Sequence, residues 1–327
     1  MAMNDGNALI IANPAAQRGN GRRAALIARD LLGEWLGADR VSFELTKCPG
    51  HATDIAAYAP RSRFSSIVAI GGDGLVHEVV NGLMALPEAE RPRFGLIPVG
   101  SGNDYARTLG MSECVPDAIV QFLDAPEVKM DIGCCNGEHF AETISFGLDA
   151  AIAIDTVQRR QRTGEQGTTL YLKSGIDQLL HHLETYKVNA TLDDARTLGE
   201  AVHLLTVQIG PTYGGGFRIC PDADPTDGLF DVCYACAPMR VPEATFKFLR
   251  AKNAHHTRYK KIRFDRASKL HIEFDRRPPC QIDGEAFEAD AYDITVAKQA
   301  LTVLAPAFSP DRLHVASQPA GRRAPWR

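Results

Sequence analysis

The stretch IVAIGGDGLVHEVVNGL, residues 67–83, reads as a buried strand, a glycine turn and the start of a helix. Its first four residues are continuously apolar, as expected of a strand covered on both faces. The turn holds Gly71, Gly72, Asp73 and Gly74, and apolar positions at helical spacing follow it. A phosphate-binding loop of the lysine type places a cation after its glycines. Here the charged residue in the turn is an acid.

The same unit recurs on either side. ALIIANP, VSFELT and FGLIPVG read as further strands, and GRRAALIARDLLGEWL and HATDIAAYA as helices; DYARTLG starts another helix. Strands alternating with helices imply a parallel sheet wound with helices over residues 1–131. From 132 to 306 the texture changes to short alternating or apolar runs between turn residues, among them EAVHLLTVQIG, LFDVCYAC, KLHIEF and ITVAKQALTVLAP. That pattern predicts antiparallel strands. A helical insertion over 169–183 interrupts them, and PEATFKFLRAKNAHH is a second. The tail, 307–327, either packs back on the first domain or frays.

At 327 residues the chain can bury two cores. Its composition, 45 % apolar and 23 % charged with a net charge of −4, argues against a dedicated nucleic-acid binder. The apolar run at 8–12 is too short for a signal peptide, and nothing reaches the roughly 18 residues of a membrane span. The expectation is a soluble, cytoplasmic protein. Cys233 and Cys236 form a lone C-x-x-C without a second pair or a histidine at ligand spacing, so the thiols read as reduced and buried. The pairs His181-His182 and His255-His256 read as surface residues, since sequence neighbours do not share a helix face.

Four turns follow strands and precede helices: Asn13-Pro14, Thr46 with KCPGHA, the 71–74 turn, and Gly100-Ser101-Gly102-Asn103-Asp104. In an open parallel sheet these ends share one edge, where ligands bind. Glycines let backbone N–H groups approach anionic oxygens, and helix N-termini add their dipoles. A phosphate-bearing ligand is therefore expected. Asp73 and Asp104 would repel it unless a cation such as Mg²⁺ intervenes; otherwise each caps a helix.

Together, GGDGLVHEVVNGL and IPVGSGNDYARTLG resemble the catalytic domain of the diacylglycerol kinase and sphingosine kinase superfamily, above all its bacterial soluble members. GGDG alone is shared with NAD kinases and phosphofructokinases, whereas GSGNDYAR is far more selective. Asn13-Pro14, T-x₃-GHA at 46–52, Gly214-Gly215-Gly216, DPTDGLFDV at 224–232 and IDGEAF at 282–287 match in order along the chain. The resemblance implies an α/β nucleotide domain, a β-sandwich after it, and an active site in the cleft between them. It implies transfer of the γ-phosphate of ATP, with Mg²⁺, to a lipid hydroxyl at the inner face of the membrane, most simply that of diacylglycerol.

It also assigns roles. Asp283 and Glu285 match the catalytic acid pair, with Asp283 favoured as acceptor of the hydroxyl proton; a D-G turn is equally the mark of a hairpin. Asp227, with Asp224 and the backbone carbonyl of Leu229, matches a structural magnesium site that water would link to Asp73 and Asp104. Nucleotide contacts fall to Asn13, Pro14, Thr46, Gly71, Gly72, Asp73, Gly74, Leu75, His77, Gly100, Ser101, Gly102, Asn103 and Asp104. Two positions depart from the family: Leu75 stands where threonine is usual and His77 where asparagine is. Leu75 removes a hydroxyl, a change worth on the order of 1.5–3 kcal/mol beside a charged phosphate. His77 suits a purine contact or a plain helix surface.

Basic runs at 158–162, 258–263 and 321–327 suit either a peripheral membrane contact or a solvated face. An NAD kinase is the nearest rival; GSGNDYAR and the texture of the second half count against it. A non-catalytic nucleotide- or lipid-binding regulator is the other, opposed by the retained acids. Homodimerisation through a sandwich edge is left open.

Overall fold

The computed structural model describes residues 6–165 and 168–308. The tail from 309 on, including the basic run at 321–327, lies outside the described residues. The first half builds β1 (Ala8–Ala12), α1 (Ala16–Leu36), β2 (Val41–Leu45), α2 (His51–Ala57), β3 (Ser66–Gly71), α3 (Asp73–Met84), β4 (Arg93–Pro98), α4 (Asp104–Leu109) and α5 (Val115–Asp124). The strands pair in parallel in the order β2-β1-β3-β4. β1, β3 and β4 are buried along their whole length, which explains their unbroken apolar runs. Because β2 and β3 flank β1 on opposite sides, the chain leaves β1 and β3 toward different neighbours. A crevice opens at their C-terminal ends.

β5 (Glu127–Cys135) carries the chain out of this core; Met130 and Ile132 belong to it, Cys135 to the next. There follow β6 (Glu138–Phe140), β7 (Thr143–Gly147), α6 (Leu148–Thr163), α7 (Thr168–His181), β8 (Tyr186–Leu192), β9 (Arg196–Gln208), β10 (Phe230–Cys236), α8 (Val241–Ala251), β11 (Ile262–Ala267), β12 (Lys269–Phe274), β13 (Cys280–Ile282), β14 (Glu285–Ala286) and β15 (Ala291–Leu304). The sandwich closes around one core, with β9 shared between β7 and β10 at one end and β8 at the other. β15 returns to the first domain: Ile294 packs in the sandwich, Leu301, Val303 and Leu304 in the first core, and Val303 pairs with Phe94 of β4. Its register against β5 shifts between Ala297 and Leu301. There Asp131, on β5, accepts the Gln299 N–H at 2.7 Å and the Gly228 N–H at 2.6 Å.

The two-domain architecture expected from the sequence is present, with local differences. α6 was not expected; its buried residues include Leu148, Ile152 and Thr156, one turn apart, and its last turns carry the polar run at 158–162. α4 stops after six residues at Gly110, whose φ of +76° terminates it, and α5 starts afresh. The helix expected over PEATFKFLRAKNAHH ends at Ala251, and His255–Arg258 forms a 3₁₀ turn. His256 is a correction: it is buried, with its Nε2 2.9 Å from the Ile219 carbonyl, because that turn folds inward over the sandwich. His181 and His182 are exposed.

Candidate active site

A cleft of about 870 Å³ lies where the turns after β1, β2, β3 and β4 face the second domain. Asn13, Pro14, Thr46, Gly72, Asp73, Gly74, Leu75, His77, Gly100, Ser101, Gly102, Asp104, Asp283 and Glu285 all line it. Two of the expected residues lie behind its wall. Gly71 ends the buried strand β3. Asn103 is turned inward at φ +54°, where its Oδ1 accepts the Gly100 N–H at 2.8 Å and its Nδ2 donates to the Gly100 carbonyl at 3.1 Å. It shapes the loop rather than facing the cleft.

The glycines divide by role. A Cβ on Gly72 would lie 2.8 Å from the Gly100 Cα, so these two loops touch backbone to backbone and exclude side chains for steric reasons. Gly74 is different: a Cβ there would meet one atom within 4 Å, the Glu285 Oε1 at 3.4 Å. A carboxylate of the second domain thus reaches the glycine turn of the first. Gly74 also stands in the first turn of α3, where backbone N–H groups lack helical acceptors. Leu75 turns back onto Gly71 and is 6 % exposed, part of the first core.

The acid of the opening turn acts as a remote helix cap. Asp73 Oδ1 accepts the Asp104 N–H at 2.9 Å and the Tyr105 N–H at 3.4 Å, at the start of α4. Its Oδ2 approaches Gly102, where a Cβ would be only 2.5 Å away. Asp104 latches the two domains: its Oδ2 accepts the Gly215 N–H at 2.7 Å, and its Oδ1 accepts Gly216 N–H at 2.7 Å and Arg107 Nη1 at 3.0 Å. Burial, then the Asp104 charge, pushes the Asp73 carboxyl up to about 7. Burial raises Asp104 as well, against the pull of its N–H partners and Arg107.

Asp283 and Gly284 form the two-residue turn of the β13–β14 hairpin, both at positive φ as a type I′ turn requires. The Asp283 carboxylate accepts three backbone N–H groups, from Ala141 at 2.8 Å, Glu142 at 3.1 Å and Thr143 at 3.0 Å. His77 Nδ1 approaches the same carboxylate at 3.5 Å, while its Nε2 lies 3.0 Å from Glu138 Oε1. His77 is therefore buried against an acid of the hairpin, not on a helix surface. Burial alone would lower its basicity, but the hydrogen bond and charge of Asp283, with those of Glu138, raise it overall.

Several lining residues escaped sequence reading. Glu142 is buried, hydrogen bonded to Thr108 at 3.5 Å, and held well above the usual carboxyl range by burial and by Asp104, Asp73 and Asp283. Gln17 secures the glycine loop by donating from Nε2 to the Gly100 carbonyl at 2.9 Å. Lys47 and Arg160 bring cations to the cleft, and Tyr171 and Tyr213 line its second-domain end. A lone acid in AETIS or a tyrosine in a helix gives no signal by itself; Glu142 is placed by its position immediately before β7, and the Tyr171 hydroxyl donates to Asp149 Oδ1 at 3.2 Å.

The structure does not bring Asp224, Asp227 and Leu229 to the cleft. Asp224 Oδ1 accepts from Thr226 N at 3.0 Å and Oγ1 at 2.6 Å; Asp227 Oδ1 accepts the Leu229 N–H at 2.9 Å, and its Oδ2 is paired with Arg266. One oxygen of Asp224 and both of Asp227 are thus engaged by N–H groups, a hydroxyl and a guanidinium. Gly228 and Pro225 tie this loop to Asp131 on β5, where the chain crosses between the cores.

Comparison with known proteins places the chain in one family. The diacylglycerol kinase catalytic domain matches residues 7–135, and the YegS C-terminal NAD kinase beta sandwich-like domain matches 142–305. A diacylglycerol kinase of Bacillus subtilis (strain 168) is 31 % identical over 250 residues, 75 % of this chain and 78 % of that protein. One of Staphylococcus saprophyticus subsp. saprophyticus is 25 % identical over 282 residues, 85 % of this chain and 88 % of that protein. The chain belongs to the diacylglycerol kinase family. Among solved structures, a diacylglycerol kinase from Bacillus anthracis str. Sterne shares the fold with a TM-score of 0.68 at 22 % identity, covering 91 % of this chain and 96 % of that one. An NAD kinase from Archaeoglobus fulgidus in complex with ATP does so at 0.53 and 14 %, covering 94 % and 96 %.

Proposed function

We propose that this protein is an ATP- and Mg²⁺-dependent kinase that phosphorylates the hydroxyl of diacylglycerol or a related lipid alcohol. The observation that carries the reading is the approach of Glu285, on the β13–β14 hairpin, to Gly74 at the start of α3. It sets a carboxylate opposite the turn best built for phosphates. The nucleotide would lie along Asn13, Thr46, Gly72 to Gly74 and Ser101 to Gly102, with α3 N–H groups and Lys47 meeting its phosphates. A magnesium ion borne by the nucleotide would supply charge neutralisation at the phosphate oxygens, and Glu285 is an exposed carboxylate on that side of the cleft.

The proton of the attacking hydroxyl passes to a carboxylate as the new P–O bond forms and the bond from the γ-phosphorus to the bridging oxygen breaks, leaving ADP. Asp283 already accepts backbone N–H groups on both oxygens, so its role is to fix the hairpin, and Glu285 takes the proton. The resemblance alone favoured Asp283. The names of the relatives and the tyrosine-lined end of the cleft support a lipid acceptor.

The test is label transfer from γ-labelled ATP to separate micelles of diacylglycerol, monoacylglycerol, ceramide and polyprenol, with NAD as a parallel acceptor. Wild type should label one lipid class, and Glu285→Gln should lose at least about a thousandfold, within the range for removing a general base and a charge partner. Labelling of NAD alone would overturn the lipid reading.

A further inference from the structure

Between residues 240 and 263 the chain carries eight lysines and arginines and a single acid, Glu243, although the whole protein has a net charge of −4. Glu243 is shared by Lys247 and Lys261, and Arg263 pairs with Glu200. Among the described residues, Arg250, Lys252, Arg258 and Lys260 have no carboxylate in ion-pair reach. The same surface exposes large apolar side chains: Phe246 is 52 % and Leu249 47 % exposed on α8. Phe246 is flanked by the Arg250 guanidinium at 5.7 Å from its ring centre and by Tyr259 at 5.9 Å, so the outer face of α8 and the 255–263 segment form one surface. The neighbouring helix α7, packed on α8 where Gly175 meets Phe248, adds the exposed Ile176 and Leu180.

Large exposed side chains ringed by unpaired cations are what an interfacial helix presents to an anionic bilayer, apolar groups entering the headgroup boundary while lysines and arginines meet lipid phosphates. We infer that the outer face of α8, with the 252–260 segment and the exposed side of α7, docks this protein on anionic membrane. The inference deepens the lipid-kinase reading and rests on it for its purpose. Tyr171 of α7 lines the cleft, so docking through α7 and α8 would hold the cleft beside the bilayer that contains the acceptor.

The experiment uses purified full-length wild type, Lys252→Gln/Lys260→Gln and Phe246→Ser/Leu249→Ser, each checked for an unchanged melting transition. They are sedimented with vesicles of phosphatidylcholine alone and of phosphatidylcholine with one third phosphatidylglycerol, at about 0.1 M salt, where the screening length is about 10 Å. Wild type should bind the anionic vesicles and not the neutral ones. Each lysine removed should weaken binding about fivefold, so the double variant roughly 25-fold. The serine variant should also lose binding. Transfer to a short-chain, water-dispersed diacylglycerol should be unchanged in both variants.

Wild-type vesicle binding without any lipid phosphorylation would sink the kinase reading and leave the docking surface standing. Phosphorylation with variants that bind vesicles like wild type would sink the docking surface alone. Equal binding to RNA, or a change of mass in solution with the serine variant, would show a polyanion site or a subunit interface and also overturn it.

Discussion

Asp73 and Asp104 carry the same charge in the same cluster, yet replacing each by asparagine should move stability in opposite directions. Asp73 uses one oxygen, Oδ1, to cap α4, and asparagine can keep both hydrogen bonds. What Asp73→Asn removes is a charge that the folded state disfavours, since its carboxyl stands near 7 rather than 3.8. A carboxyl raised in the folded state keeps its proton there after the unfolded chain has lost it. Folding therefore loses stability as pH climbs from about 4 to about 7 and loses no more above. The displacement from 3.8 to about 7 bounds the effect at about 4 kcal/mol; because the burden is shared with Asp104, a net gain of about 2 kcal/mol for Asp73→Asn is expected at pH 8, and none near pH 4.

Asp104→Asn is the opposite case. Its two oxygens accept Gly215, Gly216 and Arg107, and an amide has one acceptor atom, so a buried N–H is left facing an NH₂ group. The expected loss is about 3 kcal/mol at pH 8. At about 2 °C per kcal/mol for a chain of this size, the two variants should melt some 10 °C apart, measured in EDTA by calorimetry or dichroism. If Asp73→Asn is no more stable than wild type at pH 8, or gains as much at pH 4, the charge-burial argument fails. If Asp104→Asn is neutral, the interdomain latch does not exist.

Two further predictions follow from neighbouring contacts. Protonated His77 is held between Asp283 and Glu138, and a histidine raised in the folded state contributes stability fully present below its unfolded value of about 6.5 and lost as pH rises through its folded value. His77→Asn should flatten the pH dependence of the melting temperature from pH 6 upward, and an unchanged slope would remove His77 from that role. Gly72→Ala should destabilise by about 2–3 kcal/mol through collision with Gly100, whereas Gly74→Ala should fold at least as well as wild type yet bind ATP at least tenfold more weakly by calorimetry. Similar behaviour of the two variants in both assays would refute the division of roles between the glycines.

The first domain was legible because its strands are covered on both faces, so burial leaves an unbroken apolar signature, and because glycine turns are the cheapest way to bring four loops to one edge. The sandwich was legible as texture but not as a path. Nothing local in ITVAKQALTVLAP says that β15 begins in one core and ends in the other, since the crossing is set by Asp131 holding Gln299 and Gly228 from a distant strand. α6 was missed because its buried stripe is narrow and its C-terminal turns are dominated by charge and amide. Glu142 was missed, and Arg160 was read with the basic run at 158–162 as a membrane or solvent contact, because a residue's direction into a cleft depends on partners far away in sequence. At the 224–229 loop the motif match carries residue types, while the contacts those residues make, such as Asp227 with Arg266 and Gly228 with Asp131, are tertiary and not legible locally.

The two departures from the family pattern, Leu75 and His77, are placed on one turn of α3 and work on opposite sides of it. Leu75 turns into the first core against Gly71, so the glycine turn is held by packing, with no side-chain hydroxyl or cap at the N-terminus of α3. His77 reaches across to the second domain and meets Asp283 and Glu138. Anchored on both sides, the helix holds its first-turn N–H groups opposite Glu285 without needing a threonine. Weakened phosphate contact from Leu75 is then offset in part by preorganisation, because a turn already fixed loses less entropy when the nucleotide binds. The missing hydroxyl and the added imidazole are, on this reading, one coupled change, and Leu75→Thr should act differently in the wild type and in the His77→Asn background, beyond the few tenths of a kcal/mol expected of independent sites.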